Sequence, residues 1–195
     1  MNQVTRAARV LNSGGIVIFP TETVYGIGCL INKEDSIEKL YSIRKRDATK
    51  PTAVLVKDLN QAHEWVNFNQ TAIKLAEAFW PGHLTLCLPV RKQVPDSLLG
   101  PGDTLGVRVS SHPFIQQLQG GLDTPLLAPS ANFQGGQPAR TFTEIDKNLA
   151  SLVDYVVDIE PEAKKPSTIL VFEDGKYNMV REGEISLNQI EQALR

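Results

Sequence analysis

Short apolar runs closed by Gly, Pro or acidic residues alternate with segments of helical period, but not one for one, and this irregular alternation most constrains the fold. Strands are expected at 16–19, 24–30, 52–56, 84–89, 104–109, 126–128, 155–158 and 167–172. These runs are rich in Val, Ile and Leu, and their boundaries carry turn residues. Helices are expected around Val4–Leu11 and over 33–44, 58–65, 70–79, 113–119, 143–149 and 187–194, where apolar residues recur three or four apart. Strict strand-helix alternation would give a doubly wound parallel sheet. Its absence predicts an α/β chain of α+β character: a twisted mixed sheet with helices packed on it. With 195 residues, 42% of them apolar, the chain supplies one substantial core, so a single domain over 1–195 is expected.

Lys plus Arg number 20 against 22 Asp plus Glu, a formal charge of -2, so the whole molecule does not attract polyanions and any phosphate site must be a local patch. Cys29 and Cys87 sit in the apolar contexts Gly-Cys-Leu and Leu-Cys-Leu, as buried reduced thiols do. No apolar run approaches the roughly 20 residues of a membrane-spanning helix. The first helix, stopping at Gly14-Gly15 before a strand, reads as an integral element of a cytoplasmic protein.

Neither a G-x-x-x-x-G-K-[ST] loop nor a G-x-G-x-x-G turn after a strand is present, which sets aside P-loop and nicotinamide chemistry. His63, His83 and His112 are isolated and no Cys-x-x-Cys pair exists, so no metal site from His or Cys is expected. Four other segments carry chemistry. Arg44-Lys45-Arg46-Asp47-Ala48-Thr49-Lys50 is either a triphosphate clamp or a solvated basic helix end. Pro20-Thr21-Glu22-Thr23 leaves a strand with two hydroxyls and a carboxylate; Glu22 or a hydroxyl there can meet an ammonium group, or the segment is an ordinary turn. The loop 129–138 offers Ser130 and Asn132 for hydrogen bonding, without the Gly-x-Ser-x-Gly context of a covalent nucleophile. Arg108 interrupts an apolar alternation and must meet solvent, an acidic partner or a bound anion.

Seven blocks in order resemble the YrdC-like domain family: F-P-T-E-T-V-Y-G-I-G at 19–28, R-K-R-D-A-T-K-P at 44–51, W-P-G-H-L-T-L at 80–86, T-L-G-V-R-V-S-S-H-P at 104–113, A-P-S-A-N at 128–132, P-S-T-I-L at 166–170 and V-R-E-G at 180–183. The resemblance covers nearly the whole chain and points to the short bacterial threonylcarbamoyl-AMP synthases. It implies a YrdC-like fold and a nucleotidyltransferase that combines L-threonine, bicarbonate and ATP, with Mg²⁺, into threonylcarbamoyl-AMP and pyrophosphate. The product would serve tRNAs that read ANN codons, with tRNA and the transferase proteins of tRNA modification as partners.

By the same resemblance, Thr23, Arg108, Ala128 and Ser167 contact threonine, and Arg46, Lys50, Thr104, Ser130, Pro138 and Arg181 hold ATP. Arg46 and Lys50 would act as charge stabilisers. The chain departs from the family pattern at Arg44 and Asp47, where Lys and Pro are usual, and at Leu55, where some members carry a polar substrate contact. Two other readings compete: a non-catalytic RNA-binding module using a basic concave groove, and the carbamoyl-adenylate chemistry of hydrogenase-maturation proteins, which embed this domain in much longer chains.

Overall fold

A computed structural model describes residues 2–45 and 52–195. The chain opens with α1 (Gln3–Asn12), whose Ala7 and Leu11 are buried and whose first turn is closed by Asn2 Oδ1 accepting from Thr5 N at 2.8 Å. Then follow β1 (Val17–Phe19), β2 (Gly26–Gly28), α2 (Glu34–Arg44), β3 (Val54–Leu55), α3 (Leu59–Trp65) and α4 (Gln70–Phe79). The rest comprises β4 (Leu84–Pro89), β5 (Thr104–Arg108), α5 (Pro113–Gln119), β6 (Leu126–Leu127), α6 (Lys147–Ser151), β7 (Tyr155–Val156), β8 (Thr168–Glu173), β9 (Lys176–Arg181) and α7 (Leu187–Leu194). Side-chain caps set several starts: Asp58 for α3, Asn69 for α4, and a Ser186/Gln189 capping box for α7.

Two sheets form. The larger runs β6-β3-β5-β4-β8-β9 and the smaller β2-β1-β7, each mixing parallel and antiparallel neighbours as the irregular alternation requires. Residues 125–131 run beside 25–31 and join the sheets, with Ile27 N donating to Pro129 O, Leu127 N to Cys29 O and Ala131 N to Tyr25 O. Strand β1 is buried on both faces. Ile16 and Ile18 enter the core that holds α2 and α4, while Val17 and Phe19 enter the cluster under α1 and α5. Both cysteines are free, and burial raises the Cys29 thiol to about 12 and the Cys87 thiol to about 11.

The strands expected at 52–56, 126–128 and 155–158 shorten to β3, β6 and β7, and three further differences stand out. The helix predicted over 143–149 is instead a 3₁₀ turn at Phe142–Glu144 followed by α6, because Asp146 Oδ1 accepts from Asn148 N and Leu149 N and starts a new helix. The strand predicted over 24–30 shrinks to β2, since the backbone on either side is spent on the 125–131 segment. Strand β9 is an addition: its exposed face of Lys176, Asn178 and Val180 gives only a weak apolar signal, and pairing with β8 through the Asp174-Gly175 turn creates it.

Candidate active site

One cross-strand row of the large sheet builds the floor of the site. Leu55 on β3 lies opposite Arg108 on β5; the β4–β5 register, which pairs Leu86 with Val107, carries Thr85 to Arg108; Thr85 pairs with Ile169 on β8, and Ile169 with Arg181 on β9. Residues in one row share a face. The Cα atoms of Arg108 and Arg181 are therefore about three strand spacings, ~14 Å, apart, a gap two arginine side chains can span. A cavity of about 270 Å³ stands over this row. Its rim is the Thr21–Gly26 turn on one side, Ala128–Ser130 with Pro138 on another, and Pro166-Ser167 on the third.

Hydrogen bonds fix the orientation of the lining groups. Thr21 Oγ1 accepts from Thr23 N at 3.1 Å and donates its single hydrogen to Val24 O at 2.6 Å. In its 3.0 Å contact with Thr23 Oγ1, Thr23 must then be the donor, which leaves the Thr23 oxygen as an acceptor toward the cavity. Arg181 donates from Nε to Ser167 O at 3.0 Å and from Nη2 to Ser167 Oγ at 3.1 Å, and Ser167 Oγ lies 2.9 Å from Thr85 Oγ1. Burial first, and then the charge of Arg108, lower the Arg181 pKa from its usual value. Two guanidinium groups facing one small cavity make an anion site.

Behind Arg108 lies Glu22, fully buried, with Oε1 3.3 Å from Arg108 Nε and Oε2 accepting from Ser110 Oγ. Glu22 does not line the cavity, so its expected meeting with an ammonium group is replaced by this internal pair. Arg44, read as part of an exposed basic cluster, is buried instead. Its Nε donates to Asn132 O at 3.2 Å and its carbonyl accepts from Gln134 N at 2.9 Å, which ties α2 to the 129–138 loop.

His112 caps α5: Nδ1 accepts from Phe114 N at 3.2 Å, so Nε2 carries the proton and faces Glu160 O at 3.4 Å. Burial lowers its pKa below 6.5, as the capping role of an unprotonated Nδ1 requires. A lowered folded pKa gives stability that is fully present above the unfolded value and is lost as pH falls through the folded one. The thermal midpoint is accordingly expected to drop below about pH 6.5. His112→Asn keeps a capping acceptor without a titrating group and should flatten that slope, in melts at about pH 7.5 and about pH 5.5.

The cavity gathers Thr23, Arg108, Ala128, Ser130, Pro138, Ser167 and Arg181 from the residues that the resemblance implied. Arg46 and Lys50 lie outside the described residues. Thr104 is not brought there. It sits at the other end of β5, about 13 Å along the strand from Arg108, and its Oγ1 donates to Pro101 O at 3.0 Å. Thr85, Thr52 and Ile169 line the cavity without having been singled out. The signal for Thr85 was its place in W-P-G-H-L-T-L, and only strand register shows its side of the sheet.

The family model for Sua5, YciO and YrdC proteins, described as "Telomere recombination", matches residues 9–183. The chain belongs to the Sua5/YciO/YrdC family. This Sua5/YciO/YrdC chain is 37% identical over 182 residues to a Methanocaldococcus jannaschii protein provisionally named a threonylcarbamoyl-AMP synthase, covering 93% of this chain and 85% of that one. It is 35% identical over 163 residues to the threonylcarbamoyl-AMP synthase of Xanthomonas euvesicatoria, covering 81% and 86%. Among solved structures, P. abyssi Sua5 in complex with L-threonine superposes with a TM-score of 0.92 at 28% identity, covering 98% of this Sua5/YciO/YrdC chain. The chain spans 57% of the length of that Sua5.

Proposed function

We propose that this chain is a threonylcarbamoyl-AMP synthase, forming threonylcarbamoyl-AMP and pyrophosphate from L-threonine, bicarbonate and ATP. The observation that carries the reading is the convergence of Arg108 and Arg181 on a cavity whose hydroxyls, Thr23 and Ser167, are oriented by fixed hydrogen bonds. Sequence likeness to proteins of that name and the threonine complex of P. abyssi Sua5 support it. An RNA-binding module would need a basic groove, not a small cavity with paired guanidinium groups.

The cavity lies just below the ~300–1,000 Å³ range of ligand pockets, which suits an amino acid more than a whole nucleotide. Arg108 takes the threonine carboxylate with its terminal nitrogens, and the acceptor face of Thr23 Oγ1 takes the amine. The threonine ammonium first releases one proton; the free amine then attacks bicarbonate carbon, and water leaves as the carbamate forms. A carbamate oxygen then attacks the α-phosphate of ATP as the bond to pyrophosphate breaks. That displacement needs alignment and charge neutralisation and no covalent nucleophile from the protein. Arg181 and Ser130 face the nucleotide side, Pro138 borders it, and Arg46 and Lys50 stabilise the leaving pyrophosphate.

The described residues form no cage for Mg²⁺. Glu22 is spent on Arg108 and Ser110, and no group of three His, Cys, Asp or Glu able to hold a metal occurs among the described residues. Mg²⁺ belongs with the ATP phosphates, where it supplies charge neutralisation. Among the described residues no helix is long and apolar enough to cross a membrane. With a product destined for tRNA, to be passed to a transferase of the modification pathway, the protein acts in the cytoplasm.

Incubation with ATP, bicarbonate and single amino acids should give pyrophosphate and, by mass spectrometry, an adenylate with threonine above all others. No adenylate from threonine with folded protein would rule the proposal out.

A further inference from the structure

We propose that Glu22 is a positioning residue, which holds the guanidinium of Arg108 from behind and aims its terminal nitrogens into the cavity. The inference rests on the reading of that cavity as a carboxylate site.

Arg108 is the last residue of β5, and Ser110 lies two residues beyond it. Both reach the one carboxylate of Glu22, Arg108 Nε at 3.3 Å from Oε1 and Ser110 Oγ donating to Oε2. Ser110 is itself fixed, since its Oγ accepts from His112 N at 3.2 Å. The Glu22 backbone is held too, its carbonyl accepting from Lys164 N at 3.3 Å. The carboxylate thus has no freedom to follow a wandering guanidinium.

On Arg108 the division is sharp. Nε is buried and, although 3.3 Å from Oε1, lacks the alignment of a hydrogen bond, so the link is charge on charge at low dielectric. Its terminal nitrogens are neither buried nor bonded to any described residue, and the side chain borders the cavity. One edge of the guanidinium is therefore anchored and the other is presented to a ligand. Arg181 is also anchored along one edge, its Nε spent on Ser167 O and its Nη2 on Ser167 Oγ. A guanidinium that swings by about 1 Å misses bidentate contact, and such misplacement costs up to about 10²-fold in rate.

Glu22→Gln keeps the shape and a hydrogen-bonding partner for Ser110 but removes the charge that holds Nε. The expected result is a KM for L-threonine raised about tenfold or more, with the KM for ATP changed by less than about twofold, because only the carboxylate contact loses its aim. Ser110→Ala, milder toward folding, should shift the threonine KM in the same direction by a smaller factor. A second readout does not depend on turnover. The ¹H–¹⁵N signal of Arg108 Nε, assigned by its loss in Arg108→Lys, should exchange with water about tenfold faster in Glu22→Gln, since the charge no longer confines it. Parallel rises in both KM values, or an unchanged Arg108 signal, would overturn the positioning role. Absent threonine-dependent turnover in the unsubstituted protein would instead count against the proposed function, while the Arg108 signal still decides the role of Glu22.

Discussion

Arg108→Ala is expected to abolish threonine-dependent adenylate formation and to lower the unfolding free energy by about 3–5 kcal/mol, the cost of breaking one side of a buried pair. The Arg108 side chain is 9% exposed and that of Glu22 0%, so solvent does not screen the loss. Alanine leaves the Glu22 carboxylate in the protein interior with only Ser110 to satisfy it. Adding Glu22→Gln to the same chain removes the stranded charge. The double variant should recover most of the stability in urea unfolding and none of the activity. That contrast separates the two duties of Arg108, since stability follows the charge balance and activity follows the guanidinium. A double variant as unstable as Arg108→Ala alone would show that the pair does not govern the stability of this region.

The sequence left Arg108 open between solvent, an acidic partner and a bound anion, and the structure shows why the alternation alone did not decide. An arginine has two edges, and here one meets Glu22 while the other borders the cavity. The helices that follow Asp58, Asn69 and Ser186 were legible from apolar residues recurring three or four apart, and the caps that start them act within three residues of themselves. Strand positions were legible as apolar runs, but register was not. The row joining Thr85, Arg108, Ile169 and Arg181 depends on pairings between residues as far apart as Thr85 and Ile169, for which local pattern holds no information. Arg44 misled for a related reason. A basic residue in a last helical turn ordinarily faces water, and only the return of the 129–138 loop supplies the carbonyl of Asn132 that allows its burial.

Gly183→Ala is expected to reduce kcat/KM by about 10²-fold through displacement of the cavity wall, without touching any ligand-facing side chain. A methyl group there would lie 2.1 Å from Pro166 O, 2.7 Å from Ser167 C and 2.8 Å from Ser167 O. All three atoms are backbone, so no rotamer change relieves the overlap and the 166–168 segment must shift. Nor can residue 183 readily withdraw. Its N donates to Thr168 Oγ1 at 2.9 Å, and Thr168 is fully buried with its hydroxyl donating to Ile185 O. The displaced residue is Ser167, whose carbonyl and hydroxyl both hold Arg181. Overpacking of this kind costs about 1–3 kcal/mol, so the variant should still fold. Gly175→Ala supplies the comparison. Gly175 has φ +77 at the β8–β9 turn and nothing within 4 Å of an added methyl, so backbone strain of about 1 kcal/mol is its whole penalty. Equal loss of stability with unequal loss of kcat/KM places the effect of Gly183 in the site. Matching kcat/KM values for the two variants would mean that the wall formed by Pro166 and Ser167 does not set the position of Arg181.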